Sequence, residues 1–224
     1  MAFICYRPIA YLLPGADRLA LIDDIQDKES VMENIGRLRD FVQSFTRLVE
    51  QVGCDEARIF SDGKSLLSEL IAHDDWLPHA FAQPSIESYR QYLLYCDPME
   101  RFSVVSFVWA QGQITPVHDH TVWGMVGVLR GAERCEEYEL DEAAVCLRAS
   151  GSHELPVGGV DLVSPDIGDI HRVSNALLEG VSISIHVYGG NIGAVQRHVY
   201  DPDTGSKKPF ISGYSNSVMP NIWG

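Results

Sequence analysis

Three things are scarce in this chain of 224 residues. Long apolar runs are the first: nothing reaches the roughly 18 to 20 residues needed to span a bilayer. The apolar opening, MAFICYRPIAYLLPGAD, is broken by Arg7, Pro8 and Pro14 and reads as neither a signal peptide nor an anchor. Basic side chains are the second. Seventeen Lys and Arg face 31 Asp and Glu, a formal net charge of -14. That field repels phosphate backbones and anionic lipid, so neither nucleic acid nor a membrane is expected as a partner. The third is paired cysteine. Cys5, Cys54, Cys96, Cys135 and Cys146 are odd in number and form no CxxC, which argues against a secreted disulfide framework or a thiolate zinc site. They are expected to be reduced, buried and hydrophobic in character, in a cytoplasmic protein that is a monomer or a small homo-oligomer.

What is present is an ordinary globular balance, 46% hydrophobic and 21% charged, enough for a real core. Val31, Ile35, Leu38, Val42, Phe45, Val49 and Val52 form the stripe of an amphipathic helix. Ser30 with Glu33 suits a capping box at its start, and Gly53 suits its end. Leu66, Leu67, Leu70 and Ile71, after Ser61, Asp62 and Gly63, predict a second helix. After Tyr89 the texture becomes short β-branched and aromatic runs between turn residues. Strands are expected near 89–95, 102–110, 115–122, 124–130, 132–140, 145–149, 160–164, 170–174, 180–188 and 195–200. So many short strands without intervening helices favour an antiparallel jelly roll or closed barrel. The expected plan is one compact domain: a helical extension, 1–88, packed on a β-barrel, 89–224, that includes a C-terminal tail.

The densest chemistry lies in Gly112-QITPV-His118-Asp119-His120-TVW-Gly124-MVGVLR-Gly131. Side chains two apart on a strand share a face, so His118 and His120 converge there and can occupy neighbouring positions around one ion. Imidazole suits zinc, copper, iron and nickel alike. A third histidine follows in Gly159-VDLVS-Pro165-DI-Gly168-DI-His171-RVS-Asn175. Together the segments resemble the two motifs of the cupin superfamily, whose metal ligands sit inside a small β-barrel, the double-stranded β-helix. The likeness covers roughly residues 89 to 200. Gly124 stands where many cupins place a glutamate ligand, and the Pro165 to Gly168 spacing is one residue longer than usual. Three neutral imidazoles would leave a divalent ion its full charge and open positions, a site that favours an anionic ligand such as a thiolate. The same ligand set describes zinc enzymes, so ligand type alone does not choose the metal.

In GVSISIHVYGG, alternation places Ser184, His186 and Tyr188 on one face and Ile183, Ile185 and Val187 on the other. Hydroxyl, imidazole and phenol in a row can relay a hydrogen bond. They follow His171 by 13, 15 and 17 residues, and the row resembles that beside the iron in the cysteine dioxygenase family. This resemblance implies Fe(II) held by His118, His120 and His171, with Tyr188, His186 and Ser184 as the catalytic row. The product would be a sulfinic acid, formed from a small thiol-carboxylate and O2. In the mammalian-type enzymes an early-strand arginine binds the substrate carboxylate, and a cysteine is cross-linked to the active-site tyrosine. Here Gln91, beside Arg90, and Gly124 occupy the matching positions, so no cross-link is expected. With Arg197 downstream, the pattern is similar to bacterial 3-mercaptopropionate dioxygenases, in which a later arginine holds the carboxylate. Cysteine or mercaptosuccinate are the alternative substrates. From other classes, a zinc or nickel isomerase or hydrolase, or a non-catalytic binding cupin, stays open. His73, His79, His153 and His198 are read as surface or structural, and Trp109 and Trp123 as core aromatics.

Overall fold

The computed structural model describes residues 18–141 and 146–223. The apolar opening and Cys5 lie outside the described residues. Helix α1 spans Arg18–Val52. It starts well before Ser30 because no Gly or Pro interrupts the chain between Gly15 and Gly36. Ser30 is therefore inside the helix, and the side chains of Ser30, Val31 and Glu33 fall outside the described residues. The C-terminal expectation holds: Gly53 takes φ +60° and its N–H closes on Val49 O at 3.0 Å. Helix α2, Glu56–Ile71, also begins earlier than expected, since Asp55 caps it by accepting from the Arg58 N–H at 3.2 Å. Gly63, expected before the helix, lies inside it. A Cβ there would come within 2.9 Å of the Phe45 ring and 3.0 Å of Met125, so glycine lets the helix approach the barrel.

Eleven strands follow: β1 Arg90–Cys96, β2 Ser103–Trp109, β3 Val117–His118, β4 Gly124–Arg130, β5 Ala132–Asp141, β6 Cys146–Pro156, β7 Val160–Val163, β8 His171–Asn175, β9 Ser182–Tyr188, β10 Arg197–Tyr200 and β11 Lys207–Phe210. One sheet has the order β1-β2-β9-β4-β7 and the other β11-β10-β3-β8-β5-β6. Within them, β2-β9-β4-β7 facing β3-β8-β5-β6 is the jelly-roll arrangement, so the protein is mainly β, a double-stranded β-helix with an N-terminal helical extension. The strand expected over 115–122 shrinks to two residues, because Pro116 has no N–H to give a ladder and Thr121 takes φ +60°. The strand β11 was not expected from the sequence.

The apolar side of β9, Ile183, Ile185 and Val187, faces outward into one core shared with Leu38, Phe45, Leu67 and Leu70 of the helices. The polar row of the same strand therefore points into the barrel, among Val105, Phe107, Trp109 and Val173. Each fully buried aliphatic or Phe side chain of the outer core contributes about 1.5 to 3 kcal/mol. Among the described residues no helix is long and apolar enough to cross a membrane.

Phe45 is fully buried, with ring centroids 4.9 Å from Phe102 and 5.5 Å from Phe41. Phe45→Ala is expected to cost about 3 to 5 kcal/mol in urea unfolding. A loss below about 1 kcal/mol, small for any emptied core position, would mean that the helices do not share the barrel's core.

Candidate metal centre and its cavity

The structure brings His118, His120 and His171 together, with ring centroids 4.8 to 4.9 Å apart and one ring nitrogen of each within 4.8 Å of the others. Strand alternation accounts for only part of this. His118 lies directly opposite His171 in the β3–β8 register, but His120 stands beyond the end of β3. Asp169 holds it there: one carboxylate oxygen accepts from the His120 backbone N–H and contacts its Nδ1, both at 2.9 Å, and the other accepts from the Thr121 N–H. Between the two histidines, Asp119 turns away and accepts from the His198 N–H at 2.7 Å and from Tyr200 Oη at 2.8 Å, with His198 Nδ1 at 2.9 Å. Asp119 thus pins the ligand loop to β10.

The tautomers follow from these partners. Pro116 O, 3.0 Å from His118 Nδ1, can only accept, so Nδ1 carries the proton and Nε2 keeps its lone pair. Asp169 imposes the same on His120. Burial works against its charge, yet the hydrogen bond from His120 and the backbone N–H groups of Thr121 and His120 hold its pKa below the usual carboxylate value. Cys135 Sγ sits 3.5 Å from His171 Nδ1. Burial, reinforced by the neighbouring His120, pushes the His118 pKa down to about 3, and burial together with His120 and His118 holds His171 well below the ordinary value. Anchored imidazoles that each turn a ring nitrogen toward the others fit a divalent first-row metal ion, and the partners behind them are those that orient such ligands.

The cluster opens on a cavity of about 480 Å³. On one wall Ser184 Oγ is 2.7 Å from His186 Nε2, and His186 Nδ1 is 2.8 Å from Tyr188 Oη. Trp109 Nε1 donates to Ser184 Oγ at 3.4 Å, Phe107 stacks on His186, and Tyr188 stacks on His120. Burial keeps His186 uncharged and raises the Tyr188 pKa, so the row is neutral throughout. Gly124 lies under Tyr188. A Cβ there would meet Cδ1 and Cε1 of the ring at 2.9 Å, so the ring takes the space that a side chain at 124 would need.

Arg197 is 3% exposed, lines the same cavity, donates to Ser212 Oγ at 2.8 Å and lies 4.7 Å over the Phe210 ring. Its Nε has no partner. Gln91 is buried, its amide donating to Ser212 Oγ and Gly213 O, whereas Arg90 reaches Ser85 and Glu87. Both residues line the cavity, and Gln91 also holds the tail beside Arg197. The tail, unread in the sequence, also runs along the free edge of β1, where Ser215 and Asn216 bond the backbone of Gln91 and Leu93.

Other residues depart from expectation. Cys54 is exposed and Cys96 and Cys146 are half-buried; only Cys135 among the described cysteines is buried. Trp109 and Trp123 are core aromatics as expected, Trp109 also lining the cavity and Trp123 packing on the outer core. Glu133, which no sequence signal marked, is 2% exposed, and neither carboxyl oxygen has a hydrogen-bond partner. Burial pushes its pKa up to about 7, against a smaller pull downward from the nearby Ser184, Trp109 and Ser182 donors.

No family model matches the chain. Among solved structures it is similar to a double-stranded β-helix protein from Klebsiella pneumoniae, 21% identical over 51% of this chain and 88% of that one, TM-score 0.39. An RmlC-like cupin protein from Desulfovibrio desulfuricans is 21% identical over 52% and 94%, TM-score 0.38. An oxalate oxidase bound to the substrate analogue glycolate is 15% identical over 55% and 62%, TM-score 0.41.

Glu133 gives a pH signature. The folded carboxyl binds its proton more tightly than an unfolded one of ordinary value 4.5, so its contribution is intact below about pH 4.5 and is lost as pH rises to about 7. The full loss is roughly 3 kcal/mol. Glu133→Gln is expected to match wild type in urea unfolding at pH 4.5 and to exceed it at pH 8. An equal difference at both pH values would place the ionised form comfortably in the fold.

Proposed function

We propose that the protein is an Fe(II)-dependent dioxygenase of small mercapto-carboxylic acids, with 3-mercaptopropionate as the favoured substrate. The observation that carries this reading is a buried guanidinium, Arg197, with an unpartnered Nε, lining one cavity with His118 and His171 of the histidine cluster and with the uncharged His186 and Tyr188. A buried cation without a counter-ion is costly, and a carboxylate delivered by a ligand removes that cost. A donor set without a carboxylate leaves a bound divalent ion at full charge, which favours a thiolate at the other end of the same molecule.

Arg197 presents N–H donors to the substrate carboxylate, its planar fork suited to two parallel bonds. Ser212 and Phe210 fix the guanidinium, and Gln91 fixes Ser212. No Asp or Glu among the described residues lines the cavity. A substrate ammonium would lack a counter-ion there, which favours 3-mercaptopropionate over cysteine. His118, His120 and His171 would hold a ferrous ion, which would supply the redox chemistry for adding O2 to sulfur. Overall R–SH and O2 become R–SO2H: sulfur gives up four electrons, O2 takes them, and no external reductant is needed. Tyr188, oriented by His186 and Ser184, gives or accepts a hydrogen bond at the reacting atoms. Its elevated pKa keeps it a phenol, able to do either. Apolar walls from Phe107, Trp109 and Val173 limit water beside the reacting sulfur.

Iron-loaded protein is expected to consume O2 on addition of 3-mercaptopropionate, more slowly with L-cysteine, and to form the sulfinic acid. Arg197→Met is expected to raise KM about 10- to 150-fold, the equivalent of the 1.5 to 3 kcal/mol of a charge-assisted bond, with a smaller change in kcat. No thiol-dependent oxygen uptake with iron, together with tight zinc retention, would instead favour a hydrolase or isomerase.

A further inference from the structure

A second set of metal-ligating side chains lies behind the first. Cys135 and Glu137 are two apart on β5 and share a face, and His153 of β6 stands directly across from Cys135 in the ladder. One ligand atom from each, a sulfur, a carboxylate oxygen and a ring nitrogen, lies within 4.8 Å of the others. Ligands around a tetrahedral zinc-class ion are roughly 3.3 to 3.8 Å apart, given bonds of about 2.0 to 2.3 Å. The half-exposed Glu137 and His153 can close that difference by side-chain rotation.

The orientation of His153 is the more telling feature. Its Nε2 meets Asp161 Oδ2 at 2.5 Å, which leaves Nδ1 directed at Glu137 Oε1, 3.5 Å away. A carboxylate fixing the far nitrogen of an imidazole, with the near nitrogen turned toward a second carboxylate and a thiol sulfur within 4.8 Å of the group, is the outer support that metal-bound histidines carry. Burial pushes the Cys135 thiol pKa up to about 12, and the carboxyl groups of Asp161, Glu137, Glu133 and Glu136 add to this, Glu136 being paired with Arg172. Among the described residues Asp161 and Glu137 meet only the His153 ring, and Glu133 is held toward its protonated form by burial. The group is reachable, because Glu137 and His153 are half-exposed while Cys135 closes the inner side.

We infer that Cys135, Glu137 and His153, supported by Asp161, form a second site for a thiolate-accepting divalent ion of the zinc class, separate from the three-histidine centre. The fourth position belongs to water on the exposed side. Binding displaces the thiol proton to solvent and forms a metal–sulfur bond, with no change in oxidation state. The sulfur is also 3.5 Å from His171 Nδ1, so a single contact joins the two sets and both must be titrated together. The inference is independent of the substrate that the large cavity takes.

The test is a cobalt(II) titration of chelator-stripped protein under reducing conditions, read as equivalents bound and as the near-ultraviolet thiolate-to-cobalt charge-transfer band. Wild type is expected to bind two equivalents, one of them with the band. Cys135→Ser and His153→Ala should each lose the band and one equivalent, while His120→Ala loses the other equivalent and keeps the band. Asp161→Asn should weaken the band-forming equivalent about 10- to 100-fold. His153→Ala, at a half-exposed position, keeps the test usable if Cys135→Ser does not fold. One equivalent in the wild type, or a band that survives both Cys135→Ser and His153→Ala, overturns the assignment.

Discussion

Alternation along β9 forces a choice. Ile183, Ile185 and Val187 must face one way and Ser184, His186 and Tyr188 the other, and the helices laid over the first sheet decide which. An antiparallel sheet of this kind ordinarily turns its apolar face to the barrel interior. Here the apolar face is buried against α1 and α2, so hydrophobic stabilisation is largely collected outside the barrel. The interior is released from that duty and can hold histidines, serines, an arginine and a glutamate. Met125 shows the same division: it is fully buried in the outer core beneath Gly63.

A polar interior still has to be satisfied, and the solution is mostly neutral hydrogen-bonded pairs. Removing charges from water costs several kcal/mol each, so burial selects uncharged imidazoles and phenol, each tied to a defined partner. Pro116 O, Asp169 and Cys135 stand behind the three clustered rings, and Ser184 and Tyr188 flank His186. Asp169, kept ionised by the hydrogen bonds it accepts, is one exception, and two further groups escape this scheme. Arg197 keeps a charge with an unpartnered Nε, and Glu133 keeps two oxygens without hydrogen bonds. They sit at different depths of one barrel, and the arginine, which lines the open cavity, is the one a ligand can reach.

The parts legible in the sequence are those written with a short period. The stripe of α1, the pair His118 and His120, and the two faces of β9 can all be read within a dozen residues. Even so, period alone misassigned a detail: His120 joins the cluster because Asp169 holds it past the end of a two-residue strand, not because a strand continues. Contacts made by register across the sheets left no local trace. Cys135 meets His171 through the β5–β8 pairing, 36 residues apart, and Asn216 reaches Leu93 across 123. The tail SGYSNS has no periodicity to signal that it seals an edge strand and holds Arg197 in place. Cys135 was expected to be buried and is, but nothing in the acidic run around it marked Glu133, which the inward face of β5 buries beside it.

Gly124 shows how one small residue constrains the chemistry around it. With a side chain there the Tyr188 ring would have to leave its stack on His120, because Cβ would sit 2.9 Å from two ring carbons. The tyrosine position, the lack of a carboxylate donor and the lack of a thiol beside the phenol are thus one structural fact rather than three. Placing the ring flat against His120 also fixes where Tyr188 Oη points, since His186 Nδ1 holds it from the other side. A phenol located by two independent contacts needs no covalent tether to be held over the clustered imidazoles. The same space that excludes a ligand at 124 therefore supplies the precision with which Tyr188 is aimed.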